Sequence, residues 1–198
     1  MTTAAGFALF DTAIGACGVA WKGFVLTGVQ LPERTPDAAL ARLRRRFAPA
    51  TESPPPRAVQ AAIEGMKALL SGEPRDLSDV ELDLEAVPPF NREVYAVARG
   101  IPPGETLTYG EIAARIGQPH AAQAVGKALG QNPFPIVVPC HRVLAAGGKT
   151  GGFSADGGVR TKLRLLAIEG AVIGGQPGLF DALDRAGPDL TPKPTPRT

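Results

Sequence analysis

Apolar segments near the N-terminus predict the strands of a small antiparallel meander. They cover residues 7–10, 14–21 and 24–31, and short polar interruptions at 11–12 and 22–23 separate them. Apolar runs of this length between turn-forming residues are typical of strands. A further strand is predicted over 80–84, where apolar and acidic residues alternate as they do in a half-buried strand.

Apolar residues at helical spacing predict six helices. In the first half, one helix begins with Thr35 as its N-cap and Pro36 in its first turn, and another has apolar residues at 59, 63, 66 and 70. In the second half, helices are predicted over 90–101, 109–116, 121–129 and 160–169. The apolar triplet at 136–138 predicts a short buried strand.

Two short helices in the second half form a helix-turn-helix candidate. Thr108 and Glu111 have the spacing of a capping box and predict the start of the first helix. Gly117 lies in the tight break before the second, alanine-rich helix. Such helix pairs bind DNA in many proteins, and they also occur as plain core packing, so both interpretations stay open.

Proline-rich breaks divide the chain. Pro88 and Pro89 predict a boundary between a domain of residues 1–87 and a domain of residues 88–175. The remaining residues, 176–198, form a proline-rich tail that we expect to be partly disordered. The 198 residues are 44% hydrophobic and 20% charged, which is typical of a globular protein with one large or two small cores.

Composition argues against several classes of protein. No apolar run reaches the roughly 20 residues that a membrane-spanning helix needs, and the N-terminus does not resemble a secretory signal. Cys17 and Cys140 are the only cysteines. They are too few for a disulfide framework, so we expect reduced thiols and a cytoplasmic protein. With His120 and His141 they lack zinc-ligand spacing, so no metal is expected.

The charge distribution gives a weak indication of a partner. The net charge of the chain is +2, and residues 89–175 contain nine Lys and Arg against five Asp and Glu. The second half is therefore the better candidate for a nucleic-acid-binding face.

The segment from Pro139 to Arg142 contains the candidate chemistry. A cysteine is a strong nucleophile only as the thiolate, and the adjacent His141 could take the proton of Cys140 directly or through water. A histidine in this role needs a third group to fix its tautomer, and Glu169 is the candidate. An isolated Cys-His pair is more often structural, but this pair follows an apolar segment and lies near a helix-turn-helix candidate.

These motifs resemble the O6-alkylguanine-DNA alkyltransferases, also called methylated-DNA–protein-cysteine methyltransferases. The resemblance extends from about residue 90 to residue 170, so it covers the whole second half. It rests on the segments 104–109, 124–126, 132–143 and 165–170. It implies an α+β fold, with an N-terminal ribonuclease-H-like α/β domain followed by a helical, winged-helix-like (helix-turn-helix) alkyltransferase domain.

The resemblance also implies direct-reversal DNA repair. Proteins of this family bind duplex DNA through the helix-turn-helix and rotate the damaged base out of the stack, because its O6 atom is inaccessible in the duplex. The alkyl group of O6-alkylguanine, with O4-alkylthymine as a further candidate, would pass irreversibly to Cys140. The reaction occurs once per molecule and needs no cofactor. The expected partner is double-stranded DNA with alkylated bases, and the protein is expected to be a monomer without a membrane partner.

The family's site residues transfer to this sequence position by position. Cys140 would be the nucleophile and His141 the base held by Glu169, while Asn132 would brace the active-site turn and Tyr109 would donate a proton toward N3 of the leaving guanine. The implied DNA-binding residues are Thr108, Ala122, Gln123, Lys127 and Arg142, and the implied pocket residues are Val143, Phe153 and Ser154.

The sequence departs from the family pattern in three places. Gln123 occupies the position of the arginine that usually replaces the flipped base in the stack, and Lys127 is a candidate to assist it. The loop 152–158 is about two residues longer than usual and has Phe153 where a tyrosine is common. The first half contains only Cys17, so the zinc site of some members is not expected, and Cys17 is predicted to be a core residue.

Two other functions stay open at this point. The first is an alkyltransferase-like protein that senses damage without repairing it, or one that repairs a different lesion, because Gln123 replaces the arginine. The second is a thiol hydrolase that acts on a small molecule through Cys140 and His141. The helix-turn-helix candidate and the excess of basic residues argue against the hydrolase.

Overall fold

The computed structural model describes residues 5–155 and 157–171, which form a mixed α+β structure. The predicted proline-rich tail at 176–198 lies outside the described residues. Within them, no helix is long and apolar enough to cross a membrane.

The first half contains a four-stranded sheet. The strands β1 (Ala5–Thr12), β2 (Gly15–Lys22) and β3 (Val25–Gln30) form the predicted antiparallel meander, and β4 (Thr51–Glu52) pairs with β1 in parallel. The order across the sheet is β3-β2-β1-β4. The sequence did not predict β4, because it has only two residues, both exposed and polar.

The two predicted helices of the first half pack on opposite faces of this sheet. Helix α1 (Pro36–Arg46) begins at Thr35, whose side chain accepts a hydrogen bond from the amide of Ala38, and it packs through Leu43. Helix α2 (Arg57–Leu70) packs on the other face. Because β2 has apolar residues on both faces, five of its eight residues are buried.

The strand predicted over 80–84 is reduced to a single bridge. Leu26 of β3 forms the bridge with Leu82. The amide of Leu26 donates to the carbonyl of Glu81, and the amide of Asp83 donates to the carbonyl of Leu26. The prediction of a regular strand was wrong, because only this one position of the segment pairs with the edge of the sheet.

Four helices form the second half, as predicted. They are α3 (Pro89–Arg99), α4 (Tyr109–Arg115), α5 (Ala122–Gly130) and α6 (Val159–Ile168). The capping box at Thr108 and Glu111 is present at the start of α4. Two-residue strands β5 (Leu107–Thr108) and β6 (Val143–Leu144) pair in parallel beside the helices. The buried residues Val94, Ile112 and Val125 join α3, α4 and α5 in one core.

The strand predicted over 136–138 is absent, and a compact turn takes its place. Ile136 has a φ of 77°, a left-handed conformation that is rare for a β-branched residue. The amide of Val138 donates to the carbonyl of Phe134 at 2.8 Å, which closes the turn. The apolar triplet is buried, as predicted, but it packs as a folded loop before the nucleophile.

The sheet of the first half is hydrogen-bonded to the loop before the candidate nucleophile. The amide of Val29 in β3 donates to the carbonyl of Pro133 at 2.9 Å. Arg46, at the end of α1, also donates to this carbonyl at 3.5 Å. Ile136 packs into the core cluster of the first half, so the loop is held by residues from both halves of the chain.

Candidate active site

Cys140 begins a short 3-10 turn that ends at Arg142. Its amide donates to the carbonyl of Val138 at 2.8 Å, which fixes the backbone around Pro139. The residue is partly exposed, whereas Cys17 is fully buried in the first-half core, as predicted. Cys140 is therefore the more accessible of the two thiols.

Asn132 holds this turn from within the same loop. Its side-chain amide donates to the carbonyl of Val138 at 2.8 Å, and its side-chain oxygen accepts from the amide of Phe134 at 2.9 Å. Both contacts link the start of the loop to the residues just before Cys140. The structure therefore gives Asn132 the bracing contacts expected from the resemblance.

His141 and Glu169 are brought together although 28 positions separate them. Nε2 of His141 lies 2.9 Å from Oε1 of Glu169, and the two side chains are 2% and 4% exposed. A carboxylate partner fixes the proton on Nε2, so Nδ1 is the free acceptor of the neutral ring. Nδ1 is buried and has no hydrogen-bond partner among the described residues.

Arg142 is an internal partner of Glu169. Its Nε donates to Oε2 at 2.8 Å, and its Nη2 donates to Oε1 at 2.7 Å. The residue is 4% exposed, so its guanidinium is not available to DNA. The prediction that Arg142 contacts DNA was therefore wrong, because the residue forms a buried ion pair with Glu169.

Lys162 is a site residue that sequence reasoning missed. This α6 lysine is fully buried, its Nζ donates to the carbonyl of Val143 at 2.5 Å, and it lies 5.8 Å from the centre of the Tyr109 ring. In the sequence, the only indication of its burial is that Lys162 lies among the apolar residues of the helix predicted over 160–169. The hydrogen bond links Lys162 to Val143, one of the predicted pocket residues.

The electrostatics of the site favour a neutral histidine beside a protonated thiol. Burial raises the pKa of Cys140, while Asn132 and Lys162 act in the opposite direction. Burial lowers the pKa of His141, against the effect of Glu169. Burial also lowers the pKa of Lys162, to about 8. The Cys140 thiol therefore needs an acceptor for its proton, and His141 is neutral and able to serve.

Glu169 is ionised in spite of its burial. Burial alone would raise the pKa of this carboxyl group, but the hydrogen bonds from His141 and Arg142, together with the positive charge of Arg142, outweigh it and lower the pKa to about 2. The carboxylate can therefore orient His141 without taking its proton.

A cleft of about 520 Å³ leads to Cys140. The DNA-binding candidates Ala122 and Gln123 line it together with Tyr109, so residues of α4 and α5 share this cleft with the nucleophile. The predicted pocket residues Phe153 and Ser154 also line the cleft. The Ser154 hydroxyl donates to the carbonyl of Gly130 at 3.2 Å, which ties this part of the lining to the end of α5.

The remaining predicted site residues lie outside the cleft. Lys127 is exposed on α5, Thr108 is engaged in the capping box, and Val143 is fully buried in β6. No group of three potential metal-ligating side chains occurs within residues 5–155 and 157–171. The expected absence of a metal and of a cofactor stays a prediction.

Comparison with known proteins identifies related sequences along most of the chain. The family model for the DNA-binding domain of 6-O-methylguanine DNA methyltransferase matches residues 89–171. The methylated-DNA–protein-cysteine methyltransferase of Mycobacterium tuberculosis is 39% identical over 171 residues, which cover 86% of this chain and 96% of that protein. The protein of the same name from Methanothermobacter thermautotrophicus is 41% identical over 125 residues, which cover 63% of this chain and 69% of that protein.

Solved structures give the same result over most of the chain. The crystal structure of Mycobacterium tuberculosis OGT in complex with DNA has a TM-score of 0.68 and 38% identity, and the match covers 83% of this chain and 92% of that chain. The O6-methylguanine-DNA methyltransferase of Pyrococcus kodakaraensis has a TM-score of 0.64 and 26% identity, over 84% and 99% of the two chains. With 39% identity to a relative that it covers almost completely, the chain belongs to the methylated-DNA–protein-cysteine methyltransferase family.

Proposed function

We propose that this protein repairs O6-alkylguanine in double-stranded DNA by transferring the alkyl group irreversibly to Cys140. The observation that carries the proposal is that Cys140 lines the same cleft as Ala122 and Gln123 of the helix-turn-helix candidate. The adjacent His141 is buried, neutral and oriented by Glu169. Family membership makes alkyl transfer from DNA the chemistry that this arrangement fits best.

The proposed reaction is a nucleophilic displacement at the alkyl carbon. His141 accepts the proton of the Cys140 thiol at Nδ1, through a water molecule, and Glu169 stabilises the imidazolium that forms. The thiolate forms a carbon–sulfur bond while the carbon–O6 bond breaks, and the electron pair of that bond stays with the guanine. The base takes up one proton, and the thioether product is stable, so each protein molecule reacts once.

Tyr109 is the proposed proton donor to the leaving guanine, toward N3. Burial and the neighbouring Cys140 raise the pKa of its hydroxyl group, so the hydroxyl is protonated at neutral pH and able to donate. Tyr109 lines the cleft together with Cys140, which makes contact with the same bound base possible.

DNA binding is assigned to α4 and α5. The proposed contacts are the exposed Gln123 and Lys127, together with Ala122 and Thr108 at the starts of the two helices. Gln123 would occupy the space that the flipped base leaves, through hydrogen bonds rather than charge. The partner is double-stranded DNA with alkylated bases, and the protein is proposed to act as a cytoplasmic monomer.

The proposed organisation has two parts, an N-terminal ribonuclease-H-like domain at 1–87 and a helix-turn-helix alkyltransferase domain at 88–175. The antiparallel meander with β4 parallel to β1 supports the first assignment, and the packing of α3, α4 and α5 around one core supports the second.

The test is the mass of the intact protein after incubation with a duplex that contains O6-methylguanine. The expected result is a gain of one methyl group, saturating at one per molecule and located on Cys140. Cys140→Ser should abolish the gain, while Cys17→Ser is the matched control because Cys17 is the other cysteine and lies in the core. An undamaged duplex should leave the mass unchanged.

Two results would contradict the proposal. Tight binding to the damaged duplex with unchanged mass would indicate damage sensing or another lesion, which is the alternative that Gln123 suggests. Methyl transfer that persists in folded Cys140→Ser would place the nucleophile elsewhere.

A further inference from the structure

Arg142 binds Glu169 with two parallel hydrogen bonds, at 2.8 Å to Oε2 and 2.7 Å to Oε1. The second oxygen is the one that also contacts Nε2 of His141 at 2.9 Å. A guanidinium that contacts both carboxylate oxygens fixes the plane of the carboxylate as well as its charge. The direction in which Glu169 faces His141 is therefore set by Arg142.

Arg142 is itself held from a third direction. Its Nη1 donates to the carbonyl of Ile101 at 2.5 Å, and Ile101 is a buried residue just after α3. The Arg142 and Glu169 side chains are 5% and 4% exposed, so water has little access to the pair. The ion pair thus connects the end of α6 to the core around α3, with His141 between Cys140 and Arg142 in the 3-10 turn.

Four charged or titratable groups influence the site around His141. Burial has the largest effect and lowers the pKa of His141; Glu169 raises this pKa, and the cations of Arg142 and Lys162 lower it further. The fourth group, Cys140, precedes His141 in the same 3-10 turn. Because Arg142 already neutralises the Glu169 carboxylate, that carboxylate has less capacity to draw a second proton onto the ring.

We propose that Arg142 is a positioning residue that keeps the His141 ring neutral and correctly oriented, ready to accept the proton of Cys140. The functional meaning of this inference rests on the proposed alkyl transfer. In the step concerned, the proton moves from the Cys140 thiol to His141, leaving a thiolate and an imidazolium, while Glu169 stays ionised. Without Arg142, the buried carboxylate would favour a proton on His141 more strongly, and a proton on the ring before substrate arrives would block the acceptor.

The decisive experiment follows the His141 ring by NMR as a function of pH in the full chain. The protein has two histidines, and the exposed His120 supplies a reference resonance. In Arg142→Met, the titration midpoint of His141 should rise by about one pH unit or more, because an opposing cation has been removed. Arg164→Met is the control, since it removes a cation from an exposed position on α6.

A conservative variant keeps the test decisive if Arg142→Met does not fold. Arg142→Lys retains one positive charge but cannot contact both carboxylate oxygens in parallel, so the midpoint should rise by a smaller, measurable amount. An unchanged His141 midpoint in whichever folded variant is measured would overturn the proposal.

A second readout tests the effect on the reaction. In the folded variant, the acidic limb of the pH profile for methyl transfer should move to higher pH by the same amount as the NMR midpoint. A loss of transfer that is equal at all pH values would indicate a merely structural role and would overturn the proposal. The NMR result does not require transfer, so failure of the wild-type protein to accept a methyl group would contradict the proposed function alone.

Discussion

The side-chain amide of Asn132 donates a 2.8 Å hydrogen bond to the carbonyl of Val138, two residues before the nucleophile. The same side chain accepts a hydrogen bond from the amide of Phe134. The Asn132 side chain therefore binds the backbone at both Phe134 and Val138, and the position of Cys140 depends on these two hydrogen bonds.

Asn132→Asp should remove one of these two hydrogen bonds and keep the other. The aspartate can still accept from Phe134, but it has no hydrogen to donate to Val138, so the free energy of unfolding should fall by about 1–3 kcal/mol. Misplacement of the thiol should reduce the single-turnover rate of methyl transfer by about 100-fold. Gln118→Glu, on the exposed turn between α4 and α5, is the charge-matched control. An unchanged rate in Asn132→Asp would show that the brace has no role in transfer.

The ionisation of Glu169 should make the protein sensitive to acid. Its pKa is lowered from 4.5 to about 2, so folding favours the ionised form. This contribution to stability is complete above about pH 4.5 and is lost as the pH falls toward about 2. Glu169→Gln should therefore show a smaller loss of unfolding free energy over this range, measured by chemical denaturation. An equal loss in both proteins would place the acid sensitivity in other groups.

Lys162 should control the reactivity of the Cys140 thiol. Its buried ammonium lowers the Cys140 pKa against the effect of burial, so Lys162→Met should reduce the thiolate fraction. The rate of alkylation by iodoacetamide near neutral pH should fall by about tenfold. Lys127→Met removes an exposed lysine from α5 and should leave this rate unchanged. A faster reaction in Lys162→Met would contradict the assigned direction.

Gln123→Arg should strengthen binding to duplex DNA. Gln123 is exposed and lines the cleft near Cys140, so an arginine there can reach a phosphate or the vacated stack. The slope of log affinity against log salt should become steeper by about one. The same substitution at Gln118 is the control for added charge outside the cleft. Identical slopes for the two variants would exclude a specific role for position 123.

Gly18 should be intolerant of any side chain. A Cβ atom there would lie within 2.5–2.9 Å of three Leu43 side-chain atoms, and Leu43 is fully buried under α1. Gly18→Ala should lower the free energy of unfolding by about 1–3 kcal/mol in a denaturation experiment. Gly110→Ala, whose Cβ meets its nearest atom at 3.9 Å in α4, should be neutral or stabilising. Equal stabilities of the two variants would contradict the packing argument.

Local signals in the sequence predicted the elements of the fold well. The capping residues Thr35 and Thr108 marked the starts of α1 and α4, and apolar spacing marked the meander and the remaining helices. These features were predictable because each depends on neighbours within a few residues. The two-residue strand β4 was missed, because nothing in its own sequence distinguishes it from a loop.

The site was predictable only in part, because its partners are distant in the chain. Asn132, Cys140, His141 and Glu169 followed from the family motif, and the structure brings them together as expected. Arg142 was assigned to the wrong surface, because its sequence position does not show that Glu169 and Ile101 enclose it. The left-handed turn at Ile136 was read as a strand, since apolar composition alone cannot indicate backbone handedness.

The hydrogen bond from Val29 to the Pro133 carbonyl determines which parts of this protein can be exchanged with those of a relative. Its donor lies in β3 and its acceptor beside Asn132, on opposite sides of the boundary proposed at Pro88. In a chimera, β3 would have to keep its register with the loop, because a slip of one residue turns every strand position to the other face. The sequence indicates a boundary at Pro88, but a chimera divided there would separate β3 from the loop that it binds. The first half and the nucleophile loop therefore have to come from the same protein.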